Sequence, residues 1–312
     1  MTESDASFEA AATHYRENRA DRAEAACREI LARAPDHARA LHLLGVIRGA
    51  ADIQEGLRLI RQAIEAKPDY AEAHFNLAAL LAAAEQPAEA ARHYAEVGRL
   101  RPDDLVAHIR HGALLTAAGE TDKAIEQYGR ILVRWPDSLP ALLALGTLYL
   151  TRGDANGSIG LYRRAARLAP ESAEIAAGLG RALKRGGSRA EAITEYRRAL
   201  ALEPDHRDAL NFLAVALLEE GALAEATTVI GRAAVRHPGN AAVHFNAGVI
   251  AQATGDMAAA RASSRRALAL SAATRGCLLG ERLSTGSVER GAGGRRGARA
   301  PGGAGRRSIG IR

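Results

Sequence analysis

Seven prolines set a ruler along this chain. Pro35, Pro68, Pro102, Pro136, Pro170, Pro204 and Pro238 are spaced by 33 residues once and then by 34 five times. A fixed step of this size constrains the fold more than length does, because each step must be one supersecondary unit stacked on the next. Between consecutive prolines lie two apolar segments with helical spacing. Near their midpoints stand Gly119, Gly153, Gly187, Gly221 and Gly255, again 34 residues apart. Proline cannot continue a helix and glycine readily takes the left-handed cap, so each unit reads as helix, glycine turn, helix, proline turn. The aspartate after most prolines (Asp36, Asp69, Asp103, Asp137, Asp205) is expected to cap the next helix, and Asp69 with Glu72 has capping-box spacing.

Counting each unit so that its proline falls at position 32 puts the starts at Ser4, Ala38, Ala71, Leu105, Leu139, Ala173, Arg207 and Ala241. Position 8 is then small throughout (Ala11, Gly45, Ala78, Gly112, Gly146, Gly180, Ala214, Gly248). Position 20 is small as well (Ala23, Gly56, Ala90, Ala124, Ser158, Ala192, Ala226, Ala260). Small residues are required where two helices cross closely, since a bulky side chain would push them apart. Position 7 is mostly leucine and position 24 often tyrosine (Tyr94, Tyr128, Tyr162, Tyr196), large residues expected to fill the space between neighbouring units.

This pattern resembles the tetratricopeptide repeat family over about Ser4 to Ala272, eight units. The family's usual tryptophan at position 4 is absent, replaced by Leu41, His74, His108, Leu142, Leu210 and His244; the first unit lacks a clear turn glycine, and the second is one residue short. The resemblance implies an all-α fold, an α-solenoid coiled as a right-handed superhelix, over residues 1–272. It also implies a non-catalytic protein–protein interaction scaffold whose first helices line a concave groove for a peptide or helix of a partner protein. By that analogy the groove residues are His42, Phe75, Asn76, Ile109, Arg110, Leu143, Arg181, Lys184, Asn211, Phe245 and Asn246. Much of this wall is apolar. The sixth and seventh units add a charged stretch (Glu174, Arg181, Lys184, Arg185, Asp208, Glu219), which suits an amphipathic ligand. Groove contact and packing against the next repeat are equally compatible with these positions.

Two specialisations of the family can be tested on the residues. A chaperone-binding clamp places Lys at position 5 and Asn at position 9, and neither is present. An asparagine ladder occupies position 6, where Asn76 and Asn246 fit but Leu43, Arg110, Ala144, Gly178 and Phe212 interrupt. The stretches "ALHLLGVI" and "AEAHFNLAALL" nevertheless look like the repeat arrays that precede glycosyltransferase or sulfotransferase domains. A substrate-recruiting role in such an enzyme is therefore the alternative, by analogy of fold only.

The remaining chemistry is sparse. Cys27 and Cys277 form no disulfide framework, and the charged N-terminus "MTESDASFEAAATHYRENRAD" lacks the apolar core of a leader peptide. No run approaches the roughly 18 apolar residues of a membrane span, so a cytoplasmic protein without membrane contact is expected. His108 and His111 share a helix face but lack a converging third ligand, so packing is expected of both. With no nucleophile–base arrangement and no nucleotide loop, neither an enzyme, a cofactor nor a small-molecule substrate is expected.

The net charge of +6 resides in residues 273–312, where nine arginines face two glutamates and eleven of forty residues are glycine. Such a segment cannot bury a core and is expected to be a disordered tail. Either it binds RNA or anionic surfaces through charge, for which interleaved aromatics are missing, or the reading frame shifts near residue 272. The second reading also accounts for the missing polar cap and leaves Leu268 and Leu270 partly uncovered. Nucleic acid is expected nowhere else on the chain.

Overall fold

The structure, a computed structural model, describes residues 3–285, with side chains from residue 6 to residue 272. Among these residues there are sixteen helices and no strand. The first helices of successive pairs are α1 (Glu3–Arg16), α3 (Ala38–Gly49), α5 (Ala71–Ala83), α7 (Leu105–Ala117), α9 (Leu139–Arg152), α11 (Ala173–Arg185), α13 (Arg207–Glu220) and α15 (Ala241–Ala253). The second helices are α2 (Ala20–Arg33), α4 (Ile53–Ala66), α6 (Pro87–Leu100), α8 (Thr121–Arg134), α10 (Ala155–Leu168), α12 (Arg189–Leu202), α14 (Leu223–Arg236) and α16 (Met257–Thr285). From α3 onward every first helix begins at the residue the proline ruler marks. The all-α solenoid expected from the period is the observed architecture.

The chain divides into two compact units, the first ending at Leu145 and the second beginning at Gly146. Within each, a helix packs on its hairpin partner and on the next helix in the chain, which gives the continuous row of a solenoid. First helices also reach the first helix of the next pair, as α1 does α3, α3 does α5, α11 does α13 and α13 does α15. The first helices are therefore the crowded side of each row. On the second-helix side, neighbouring repeats are bridged by ion pairs of 2.8–3.0 Å: Arg61 with Glu89 in the first unit, and Arg163 with Glu191 and Arg197 with Glu225 in the second. Each is partly or fully solvated and worth at most about 1 kcal/mol.

The columns of small residues do what their spacing requires. Rings of Tyr128, Tyr162 and Tyr196 lie where a Cβ on Gly112, Gly146 and Gly180 would stand, 2.6–2.9 Å from it. Thus the position-24 tyrosine fills the gap left by the position-8 glycine of its own pair. Tyr162 also occupies the space beside Gly178 of the following pair, and Tyr196 lies 6.0 Å from the ring of Phe212. Ser158 is fully buried at position 20 and donates its hydroxyl to the Gly146 carbonyl at 2.8 Å. Cys27 occupies the same column as the tyrosines; it is fully buried, and burial together with Glu24 raises its thiol pKa to about 12. It packs as a small apolar residue, as expected.

The five turn glycines have φ between 74° and 90°, the left-handed cap. Where glycine is missing, Asn18 and Glu85 take the same conformation at φ 57°. The second pair, one residue short, closes its turn without a left-handed residue: α3 ends at Gly49 and Asp52 caps α4 through Gln54 and Glu55 N–H. A glutamate in the left-handed region costs roughly 1 kcal/mol relative to glycine. Glu85→Gly is expected to raise the stability of the first unit by about that amount, read as a higher urea midpoint with an unchanged slope.

The proline turns correct one expectation. The residues that cap the next helix are His37, Asp104, Ser172, His206 and Asn240, two places after each proline, and not the aspartates next to it. The cause is a β-turn. The N–H groups of His37, Tyr70, Asp104, Ser138, Ser172, His206 and Asn240 each donate to the carbonyl three residues back, at 3.0–3.3 Å. Proline and its successor are the two central residues of that turn, so the fourth residue is the one that opens the helix. Asp103 and Asp205 instead pair with Arg134 and with Arg232 and Arg236. Glu72 pairs with Arg101 across its own repeat and forms no capping box with Asp69.

At the far end α16 continues past the expected boundary at residue 272 as far as Thr285. The rest of the expected tail lies outside the described residues. Leu268 is 70% exposed and Leu270 half-buried.

Candidate functional site

In the first unit the inward-facing positions of α3 and α5 build a buried polar chain. Asn76 donates from Nδ2 to His42 Nε2 at 2.8 Å, and His42 Nδ1 lies 3.1 Å from the Tyr70 hydroxyl. His42 and Asn76 are 4% and 2% exposed. Burial lowers the His42 pKa to about 4, with Glu72 opposing, so the ring is neutral at pH 7. A neutral ring that accepts at Nε2 must carry its proton at Nδ1 and donate it to Tyr70. The Asn76 Oδ1 is buried and has no hydrogen-bond partner. It borders a shallow recess lined by Glu72, Phe75, Val97, Arg101 and Asp104. Phe75 is half-buried, edge-on to Tyr94 at 5.4 Å. Ile109 and Leu143 are half-buried and Arg110 exposed.

In the second unit the same register step recurs once. Asn246 donates from Nδ2 to Asn211 Oδ1 at 2.8 Å. As with His42 and Asn76, a polar residue at position 5 accepts from asparagine at position 6 of the next repeat. The asparagine ladder, interrupted in the sequence, is thus represented by one rung in each unit, with a histidine or an asparagine as the partner. Beside Asn246, Phe245 is 61% exposed and Val249, one turn further along α15, is 40% exposed. At the other end of α11, Lys184 pairs with Glu219 at 2.8 Å and Arg189 with the same carboxylate at 3.4 Å. Arg181 is half-buried, and its Nε is enclosed without a hydrogen-bond partner.

The candidate residues therefore fall into two kinds. His42, Asn76 and Asn211 are engaged within the stack, whereas Phe245, Arg110 and Arg181 keep a free face or a free donor. Tyr70, which His42 contacts, and Tyr196, whose enclosed hydroxyl lies within the field of Arg181, are not legible in the sequence as members of these clusters. Tyr70 sits in a turn outside the inward-facing positions, and Tyr196 belongs to a column that reads as packing.

The histidines at position 4 have a structural role that replaces the missing tryptophan. His74, His108 and His244 each place Nε2 3.0–3.1 Å from the carbonyl of the proline six residues earlier, Pro68, Pro102 and Pro238. A carbonyl can only accept, so Nε2 carries the proton and the ring ties the first helix to its turn. The second nitrogen of His108 accepts from Gln127 at 3.2 Å, which leaves no lone pair for a metal. Among the described residues no three His, Cys, Asp or Glu side chains converge as a metal site. No helix among them is long and apolar enough to cross a membrane.

A family model for the tetratricopeptide repeat matches residues 48–104, 110–173 and 178–229, more than half of the chain, and a second matches 241–274. No curated protein matches the sequence significantly. Among solved structures, the chain is similar to a tetratricopeptide repeat protein from Parabacteroides merdae, with a TM-score of 0.60 at 18% identity over 72% of this chain and 91% of that one. It is also similar to pilF of Pseudomonas aeruginosa, with a TM-score of 0.53 at 17% identity over 68% and 96% of the two chains. MamA from Desulfovibrio magneticus gives 0.51 at 18% identity over 54% and 95%. At these identities the likeness is one of fold. The agreement of the repeat register, the helix boundaries and the family models leads to one conclusion: the chain belongs to the tetratricopeptide repeat family.

Proposed function

We propose that the protein is a non-catalytic scaffold for protein–protein interaction, and that the first-helix face of its repeats holds a peptide or helix of a partner protein. The observation that carries this reading is the exposed apolar strip of Phe245 and Val249 on α15. An aromatic ring left 61% exposed on a folded helix forgoes burial worth about 1–2 kcal/mol, a cost that a partner's apolar side chain would recover. On the second-helix face Arg61, Arg163 and Arg197 are already paired with glutamates of the next repeat, and the exposed apolar side chains Val133 and Val235 are smaller than Phe245. The repeat array over residues 1–272 is the binding module in this reading, and its ligand is amphipathic.

The test is affinity selection of random dodecapeptides displayed on phage against the full chain. Phe245→Asp is expected to weaken capture of the selected peptides at least tenfold while leaving the thermal midpoint unchanged, because the side chain it replaces supports little of the core. Undiminished capture by Phe245→Asp, and by Phe75→Glu and Ile109→Glu, would remove the groove assignment.

A further inference from the structure

The second unit holds more cations than it neutralises on one helix face. Arg181, Lys184 and Arg185 follow one another along α11, and Arg189 opens α12. Glu219, at the end of α13, serves two of these four through Lys184 and Arg189. Arg185 is exposed, and Glu174 stands two turns before Arg181, about 10 Å away along the helix axis. Among the described residues no carboxylate is paired with Arg181.

Its surroundings make the omission costly. The Arg181 Nε is enclosed and unpartnered, and so is the hydroxyl of Tyr196, whose ring is fully buried. The charge of Arg181 reaches the Tyr196 hydroxyl: burial raises the Tyr196 pKa most, Arg181 lowers it and Glu219 raises it. A guanidinium offers five donors in a planar fork and is seldom left half-buried without an acceptor. The enclosed Nε without an acceptor is a cost that an apolar side chain of similar length would avoid, and a ligand acceptor would remove it.

We propose that Arg181 is the anchor for a carboxylate, an aspartate or glutamate side chain on the polypeptide bound by the first-helix face. This deepens the proposed scaffold role and rests on it. The fork of Arg181 receives the carboxylate through charge-assisted hydrogen bonds, and Arg185, one turn further on, adds to the attraction. Lys184 keeps its own partner in Glu219 and does not compete. The ligand is therefore acidic at one defined position and apolar elsewhere, and the face discriminates against basic segments.

The experiment selects the same random dodecapeptides against the wild-type full chain and against Arg181→Met. Wild-type protein is expected to enrich Asp or Glu at one position, and Arg181→Met to lose that enrichment while keeping the apolar positions. For a synthetic winner, changing that residue from Glu to Gln should cost about tenfold in affinity on the wild type and nothing on Arg181→Met. Arg181→Lys, which keeps a point charge without the fork, should retain part of the preference and guards against a variant that fails to fold. Winning peptides with no acidic position, or an acidic position that survives Arg181→Met, would overturn this inference and leave the scaffold reading standing. If the wild type enriches no peptide, both readings fall.

Discussion

Replacing Gly56 by valine is expected to destabilise the first unit by about 3 kcal/mol or more, the largest effect of any single change proposed for this chain. A Cβ on Gly56 would stand 2.5 Å from the Gly49 Cα and 2.9 Å from the Gly45 carbonyl oxygen. Backbone is on both sides, so no side chain can rotate away, and α3 and α4 must move apart. Around this crossing Leu57, Ile60, Leu44 and Leu77 are buried, and parting the helices would open all of them. Gly129 is the internal control. It also lies within a second helix, yet nothing stands within 4 Å of a Cβ placed there. Gly129→Ala should stabilise by up to about 1 kcal/mol through helix propensity alone. Urea titration of both variants separates crowding from propensity: a loss for Gly56→Val and a gain for Gly129→Ala are expected. Equal losses would mean that the small-residue column reflects composition and not close approach.

The second large effect is on the pH dependence of stability. His42 has its pKa lowered from 6.5 to about 4 in the folded chain, chiefly by burial. The unfolded state therefore binds the proton more readily. The stabilising contribution of neutral His42 is fully present above pH 6.5, falls as pH drops below that value, and is lost by about pH 4. Over that window the linkage amounts to roughly 3 kcal/mol. Protonation would also force Nε2 to donate, and it faces the Asn76 Nδ2, itself a donor at 2.8 Å. Either the amide turns over or the hydrogen bond is lost. Carboxylates titrate in the same range, so the readout is the difference between wild type and His42→Gln, measured by urea titration at pH 7 and pH 4.5. Wild type should lose clearly more stability between the two than the variant does. Parallel losses would show that His42 is not held neutral by the fold.

Much of this fold was legible in the residues, because its causes are local and repeat. Proline and glycine punctuate the backbone wherever they occur, so the first helices could be placed to the residue from Ala38 to Ala241. The capping residues depart from the sequence pattern for an equally local reason. The aspartates after proline have the right chemistry, but the β-turn makes them central residues and passes the cap to the next side chain, even when that is His37 or His206. Glu85 shows the limit from the other direction: the fold imposes a left-handed residue there because the 34-residue step demands a turn, whatever the sequence supplies. The candidate site was only half legible. Its helical face follows from the register, so Phe245 and Arg181 could be named. Whether a residue at that face turns into the stack or away from it depends on a neighbour about one repeat distant. His42 turns in because Tyr70 and Asn76 receive it, while Phe245 has no comparable partner and stays out.

The central claim, that the first-helix face holds a partner polypeptide, is tested most directly by position-specific crosslinking. A photoreactive benzoylphenylalanine is placed at residue 245 on the first helix α15 or at residue 235 on the second helix α14, both exposed, and each protein is irradiated with a dodecapeptide selected on the wild type. The account predicts a crosslink from position 245 and none from position 235. A crosslink from 235 with none from 245 would contradict it.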